Sequence, residues 1–250
     1  MFPSLLVTLR EGFEAALIVA IVLAYLREVG ATRRARTVWA GVAAAAAVSA
    51  VVGAALFLTG AELEGSAEAL FEGVLMLAAV AVLTWMIVWM QREARSQGAR
   101  LRGKVDTALV TGGAALFGLA FLAVVREGLE TALFLFAAAG TAQPLPAFVG
   151  GLTGLAVAAA LGWLVYRGSR KLPLRTFFTV SNIVLIGFGT YLVWAGVGEL
   201  GEVIGGEAFE VLGVLAGALY AGLTLFVLWR TNGARVEPAA AGTGSHRRAA

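Results

Sequence analysis

Seven apolar stretches divide the sequence, and each is long enough to cross a lipid bilayer as one helix of about 20 residues. They cover approximately residues 3–26, 38–59, 69–90, 107–139, 147–166, 176–197 and 209–229. The chain is 60% hydrophobic and 14% charged, whereas soluble domains are about 45–50% apolar and about 25% charged. Backbone groups inside lipid need partners within the protein, which favours helices. We therefore predict an all-α integral membrane protein with seven transmembrane helices, the fourth starting near Gly112 and Gly113.

The placement of basic residues predicts the orientation of these helices. All Lys and Arg residues except Arg10 and Arg126 lie in the first, third and fifth connections or after the last span. Basic connections stay in the cytoplasm, so we expect the N-terminus outside and the C-terminus inside. The first residues contain no basic segment or cleavage site, so the first span is expected to remain in the membrane. Residues 231–250 are small and polar and are predicted to form a disordered cytoplasmic tail.

The connections on the predicted outer side are acidic. Eight glutamates lie there: Glu62, Glu64, Glu68, Glu72, Glu199, Glu202, Glu207 and Glu210. Carboxylates without basic neighbours can raise the local concentration of cations. Acidic residues are also tolerated on the outer side because they contribute little to topology. The sequence leaves both interpretations open.

The residue types exclude several classes of protein. The chain has no Cys, and its one histidine, His246, lies in the polar tail. This excludes a disulfide framework, a thiolate metal site and c-type haem attachment. The basic residues flank spans instead of forming the single patch that nucleic acid would need. There is no Ser/His/Asp set, His cluster or nucleotide-binding loop, so we expect neither an enzyme nor a permanently bound cofactor.

A five-residue motif occurs twice within the apolar stretches, in the first and fourth spans. Residues 10–14 read REGFE and residues 126–130 read REGLE. Three spans per unit is an odd number, so the second copy enters the membrane in the opposite orientation, as in the inverted repeats of many transporters. We predict a transmembrane domain over residues 1–230, made of one repeat at 1–91, a second repeat at 107–197 and an extra helix at 209–229.

The two motifs predict a cation pathway. Residues three or four apart share a helix face. Each motif therefore places one arginine and two glutamates together: Arg10, Glu11 and Glu14 in the first, and Arg126, Glu127 and Glu130 in the second. Gly12 and Gly128 thin the backbone and allow a helix or an ion to approach closely. Carboxylate oxygens suit hard cations such as Fe(III), and the arginines moderate the negative charge so that the ion can leave.

The alternative is that each Arg–Glu pair only links two helices. Ionisable side chains inside a spanning helix cost about 2.5–3.5 kcal/mol each and usually serve a function. A structural pair needs one Glu for each Arg, and each motif contains a second. We therefore favour the cation pathway.

Other side chains are weaker candidates. Glu72, at the start of the third span, is either a ligand at the mouth of the pathway or a solvated interfacial carboxylate. Ser181 and Asn182 either line the pathway or, as we favour, hydrogen-bond between helices. The tryptophans expected at the membrane interfaces are Trp85, Trp89, Trp194 and Trp229. The methionines expected in apolar packing are Met76, Met86 and Met90.

The sequence resembles the iron permease family, the oxidase-coupled iron transporters that include the fungal high-affinity permease and bacterial EfeU-type permeases of the iron–lead transporter group. REGFE and REGLE carry the resemblance. Residues 70–90, with LFEG and LTWM, and residues 106–109 are similar to the bacterial branch. The resemblance implies that Glu11, Glu14, Glu127 and Glu130 handle iron and that both motif arginines support them. It also implies a role for Glu72. Phe13 replaces the family's common Leu, which we expect to be tolerated.

The resemblance implies a multi-pass permease of the plasma or inner membrane that imports iron. The ion is expected to be Fe(III), produced by a separate periplasmic or extracellular oxidase or haem-type partner. A homo-oligomer is compatible with the sequence. One alternative is a proton-coupled carrier of another divalent metal or an organic cation. A second alternative is a membrane scaffold that transports nothing.

Overall fold

The computed structural model describes residues 1–93, 97–140, 144–167, 174–205 and 208–233, and within these ranges all regular secondary structure is helical. The helices are α1 (Phe2–Glu28), α2 (Ala35–Glu62), α3 (Ser66–Glu93), α4 (Gln97–Thr111), α5 (Gly113–Gly140), α6 (Pro144–Tyr166), α7 (Leu174–Ile204) and α8 (Ala208–Gly233). A short 3₁₀ turn, Thr32–Arg34, precedes α2. The predicted all-α class is confirmed for the described residues. The predicted tail lies outside them, except that α8 continues through Gly233.

Among the described residues, five helices are long and apolar enough to cross a membrane: α2, α3, α6, α7 and α8. The other two predicted spans, α1 and α5, have 27 and 28 residues, and each carries the three ionisable residues of a motif. Their length is sufficient for a bilayer, which needs about 20 residues. The described chain is therefore a multi-pass membrane protein, while the number of seven spans and their orientation stay predictions.

The helix of the predicted fourth span begins at the Gly-Gly pair, as expected, and not at residue 107, the outer bound of the apolar stretch. Residues 107–111 belong to α4, and the helix that carries the second motif begins at Gly113. Gly112 separates the two with φ of +124°, a backbone conformation that glycine adopts without steric cost. Helix α4 is amphipathic: Val105 and Ala108 are buried against its neighbours, while its basic residues are exposed. The sequence prediction placed the first ten residues of this helix in a basic connection and residues 107–111 in the fourth apolar stretch.

The helices of each predicted repeat pack mainly against helices of the other repeat. Helix α1 packs most extensively against α6, and α2 packs most extensively against α5. Helices α3 and α7, the third helices of each unit, pack against each other, and α1 also contacts α5. A two-fold relation between α1–α3 and α5–α7 would generate this set of contacts. The inverted repeat itself stays a prediction.

Two glycines bring α3 and α7 into backbone contact. A Cβ atom added to Gly73 would lie 3.0 Å from the carbonyl oxygen of Gly196, and one added to Gly196 would lie 3.2 Å from the carbonyl oxygen of Gly73. Such close crossings are typical of helix pairs in membranes, where small residues let backbones approach.

Two buried apolar clusters enclose the motifs along α1 and α5. The first includes Val7, Met76, Leu83, Met86, Phe134, Leu185 and Leu192. The second includes Val22, Leu26, Val38, Val105, Leu116 and Ala120. On α1 the motif lies between Val7 and Val22, and on α5 it lies between Ala120 and Phe134. The ionisable residues are therefore placed in the interior of the helix bundle, with apolar packing on both sides.

Candidate metal-binding site

Three glutamates from the two motif helices form one buried group. Ligand oxygens of Glu11, Glu14 and Glu127 all lie within 4.8 Å of one another. Their residues are 0%, 9% and 4% exposed, respectively. Three carboxylates at this separation can share one hard cation, because oxygen ligands of hard cations lie about 2.0–2.6 Å from the metal. The contact between α1 and α5 thus brings together two segments that are distant in the sequence.

Glu130 lies beside this group and is 8% exposed. It is not among the three residues whose oxygens lie within 4.8 Å of one another. Its Oε1 atom accepts a hydrogen bond of 2.9 Å from Nε of Arg126. The structure therefore places the four predicted glutamates together, three as a tight group and the fourth bound to its own arginine.

Arg10 is completely buried and is held by both glutamates of its own motif. Its Nη1 atom lies 2.9 Å from Oε1 of Glu11, and its Nη2 atom lies 3.2 Å from Oε1 of Glu14. Nη1 also lies 3.0 Å from the Sδ atom of Met86 on α3. A guanidinium can form several charge-assisted hydrogen bonds in a fixed planar arrangement, so Arg10 fixes the two carboxylates of α1 relative to each other.

Arg126 is held differently. Its side chain is 33% exposed, its Nε atom lies 2.9 Å from Glu130, and its distance to the Oε1 atom of Glu127 is 3.9 Å. The guanidinium carbon also lies 5.2 Å from the ring centre of Trp85 and 5.0 Å from that of Trp89, both on α3. The two motifs are therefore similar in sequence but unequal in their surroundings.

Several buried oxygens of the site have no hydrogen-bond partner among the described residues. They are Oε2 of Glu11, Oε2 of Glu127, Oε2 of Glu130 and Oγ of Ser49. Buried polar atoms are nearly always satisfied, and an unsatisfied one costs about 1–3 kcal/mol. Four ionised glutamates and two arginines would carry a net charge of −2, which a bound cation would offset. The arrangement therefore has both the ligands and the charge for a metal ion.

The glycines of the two motifs lie at helix contacts. A Cβ atom added to Gly12 would lie 3.0 Å from the Cβ atom of Ala158 on α6. One added to Gly128 would overlap the side chain of Ser49 on α2. Phe13 is 1% exposed and packs edge-on against Phe177 of α7, with 4.9 Å between ring centres.

Glu72 is separate from the carboxylate group. It lies in the second turn of α3, and its Oε2 atom would be 3.0 Å from a Cβ atom added to Gly140, the last residue of α5. A cavity of about 800 Å³ opens at this end of the bundle. Gly140 is among its lining residues, together with Tyr191, Trp194, Glu199, Glu202 and Glu210. The structure thus puts Glu72 near an acidic cavity at one end of the bundle.

The sequence did not predict the contacts of Met86, Ser49, Trp85 and Trp89 with the motifs. The i and i+4 spacing of the two tryptophans puts them on one face of α3, but it does not identify Arg126 as their partner. Asn182 is 8% exposed and its Oδ1 atom has no hydrogen-bond partner among the described residues. Ser181 donates a hydrogen bond to the carbonyl oxygen of Phe178 within α7.

Comparison with known proteins identifies the family. A profile of the iron permease FTR1 family matches residues 1–213, which include both motifs and all helices through α7. The chain belongs to this family. The membership predicted from REGFE and REGLE is thereby confirmed, together with a general role in iron transport.

Individual members of the iron permease family are also similar to the chain. The "Ferrous iron permease EfeU" of Escherichia coli O6:K15:H31 (strain 536 / UPEC) is 39% identical over 193 residues, which cover 74% of this chain and 68% of that protein. The protein of the same name from Yersinia pestis is 36% identical over 189 residues, which cover 74% of this chain and 67% of that protein. No solved structure matches the chain.

Proposed function

We propose that this chain imports iron across the cytoplasmic membrane through the glutamates of its two motifs. The observation that carries the proposal is the buried group of Glu11, Glu14 and Glu127, whose ligand oxygens lie within 4.8 Å of one another. Membership of an iron permease family supplies the substrate. The protein needs no reaction chemistry for this role, only ligands that bind the ion and then release it.

Fe(III) is the ion that the ligands favour. The grouped side chains offer carboxylate oxygens, and hard cations of high charge prefer oxygen to sulfur or nitrogen ligands. The proposal then includes oxidation by a separate partner protein before transport. Fe(II) is the second candidate, because both similar relatives are named ferrous iron permeases. The two candidates differ in whether uptake depends on an oxidant.

The path we propose begins at the acidic cavity. Glutamates there, with Glu72 close by, would raise the local concentration of cations. The ion would next exchange water for the carboxylates between α1 and α5, while Arg10 and Arg126 keep the charge of the site moderate. Release would follow when one part of the helix bundle rocks against another, as in transporters with repeated units. With the predicted orientation, the cavity faces outward and transport is inward.

The two alternatives make different demands on the site. A scaffold needs only paired charges, whereas four carboxylates here accompany two arginines and retain oxygens without hydrogen bonds among the described residues. A carrier of another divalent metal or of an organic cation would use the same carboxylates, and substrate competition separates it from an iron permease.

Uptake of radioactive iron into proteoliposomes tests the proposal. Iron would be supplied as Fe(III)-citrate and as ascorbate-reduced Fe(II) to wild type, Glu11→Gln and Glu127→Gln at equal reconstitution. Glu28→Gln is the matched control, because Glu28 is an exposed glutamate on the same helix as Glu11. We expect uptake by wild type and Glu28→Gln and its loss in both site variants. Unchanged uptake in folded site variants would contradict the carboxylate pathway.

A further inference from the structure

The guanidinium of Arg126 has two kinds of partner. On one side are the carboxylates of Glu130 and Glu127, at 2.9 and 3.9 Å from Nε. On another side are the indole rings of Trp85 and Trp89, whose centres lie 5.2 and 5.0 Å from the guanidinium carbon. Both ring distances are within the approximately 6 Å at which a cation is attracted to an aromatic face. Arg126 therefore lies between carboxylates and aromatic rings.

The two indoles form one surface on α3. Trp85 and Trp89 are one helical turn apart, with ring centres 6.3 Å apart and planes inclined by 25°. Trp89 packs against the first apolar cluster, while Trp85 is 56% exposed. The interaction of a cation with an aromatic ring strengthens as water is removed from the pair, and the Arg126 side chain is 33% exposed.

The surroundings of Arg10 are different. Its residue is 0% exposed, it is held by two carboxylates of α1, and one of its contacts is the sulfur of Met86 on α3. One turn of α3 thus contacts both motif arginines, one through a thioether and the other through two indoles. Arg126 can therefore lose its carboxylate contacts and still keep a favourable partner for its charge.

We propose that Trp85 and Trp89 are positioning residues for the cation site. When a metal ion binds to the group of Glu11, Glu14 and Glu127, the like charge of Arg126 is repelled from the ion and from the neighbouring Glu127 and Glu130. The indole faces then hold the guanidinium beside the site. The charge of Arg126 neither moves into the lipid nor stays in contact with the ion. The inference rests on the proposed function, in which a cation occupies the carboxylates during transport.

The proposal predicts the effect of removing the rings. Without an aromatic alternative, Arg126 would remain on Glu130 and Glu127 and would compete with the metal ion. Cation binding would therefore weaken, and a phenylalanine, which retains an aromatic face, would restore most of it. If the two tryptophans only filled space, phenylalanine and leucine replacements would have the same effect on cation binding.

The experiment compares two double variants in the full-length protein. These are Trp85→Leu/Trp89→Leu and Trp85→Phe/Trp89→Phe. Trp163→Leu is the matched control, because Trp163 also stacks on an arginine, Arg167, with 4.1 Å from the guanidinium carbon to the ring centre. One measurement is the half-saturating iron concentration for uptake into proteoliposomes. The other is the midpoint of Tb(III) binding in lipid nanodiscs, followed by directly excited Tb(III) luminescence.

We expect the double leucine variant to raise both midpoints by roughly fivefold or more, the change that loss of a desolvated cation–π contact would produce. In the double phenylalanine variant and in Trp163→Leu, both midpoints should stay within about threefold of the wild-type values. Unchanged midpoints in the leucine variant, or an equal defect in the phenylalanine variant, would overturn the proposal. If wild type transports no iron while the Tb(III) midpoints shift as expected, the iron function fails and the positioning role stands.

Discussion

Carboxylate oxygens of Glu11 and Glu127 lie within 4.8 Å of each other across the interface of α1 and α5. Each comes from the same position of its own motif, and both are buried. Two carboxylates at such a distance repel each other unless a proton or a cation lies between them. The contact that joins the two motifs is therefore also the place where a positive charge is most strongly stabilised.

The unequal burial of the two arginines predicts unequal losses of stability. Removing one partner of a buried ion pair costs about 3–5 kcal/mol, because the other charge stays buried. We expect Arg10→Met to approach this loss in free energy of unfolding, and Arg126→Met, at a side chain that is 33% exposed, to lose clearly less. Denaturant titration in detergent measures both, with the exposed Arg36 changed to Met as control. Equal losses would contradict the asymmetry.

The contact between Gly128 and Ser49 predicts that a larger residue at position 128 lowers stability and that a smaller residue at position 49 restores part of it. A methyl group at Gly128 overlaps the Ser49 side chain, and overpacking of this kind costs about 1–3 kcal/mol. Gly128→Ala should therefore lower the thermal midpoint, and a second change, Ser49→Gly, should recover part of the loss. The control is Gly118→Ala on the same helix, where a Cβ atom meets nothing within 4 Å. A Gly128→Ala variant as stable as the control would show that α2 and α5 are farther apart.

The fourth residue of each motif has a different role. Phe13 is 1% exposed, whereas its counterpart Leu129 is 38% exposed. We expect Phe13→Leu to cost about 1 kcal/mol of stability, because the replacement leaves part of the buried ring volume empty, while iron uptake continues. Leu129→Phe should change neither quantity. Thermal unfolding and uptake of the same preparations test this pair, and loss of uptake in stable Phe13→Leu would assign that ring a part in transport.

The oxygen ligands predict which metals compete with iron. Ga(III) has the charge of Fe(III) but is not reduced by ascorbate, and hard trivalent ions favour carboxylate oxygens. If Fe(III) is carried, Ga(III) should inhibit uptake at concentrations comparable to that of the iron supplied, and Mn(II) should inhibit much less. The opposite order would identify Fe(II) as the ion that is carried.

Hydropathy predicted α2, α3, α6, α7 and α8 because their apolar stretches are long and nearly free of charge. It did not predict α4, since a short amphipathic helix with several basic residues looks like a connection. The turn at Gly112 could be expected from the Gly-Gly pair, and the structure confirms it through the positive φ. Helix existence was thus read from composition, while the helix that lacks a long apolar run was missed.

The sequence indicates which side chains of the candidate site share a helix face, but not how the two motifs meet. Spacing along one helix puts Glu11 beside Glu14, and this holds for any straight helix. That Glu127, and not Glu130, completes the tight group depends on how α1 and α5 are rotated against each other. The same rotation decides that Trp85 and Trp89 meet Arg126. Single-sequence periodicity contains no information on such rotations between helices.

The packing of each predicted repeat against the other has a consequence for biogenesis. Helix α1 finds its most extensive neighbour in α6, which the ribosome makes only after four further α-helices, including α5 with the second motif. Until then, a helix that carries Arg10, Glu11 and Glu14 must stay in the membrane without its main support. Helix insertion and helix assembly are therefore separate events in this chain, and the first half cannot complete its fold before the second half has been synthesised.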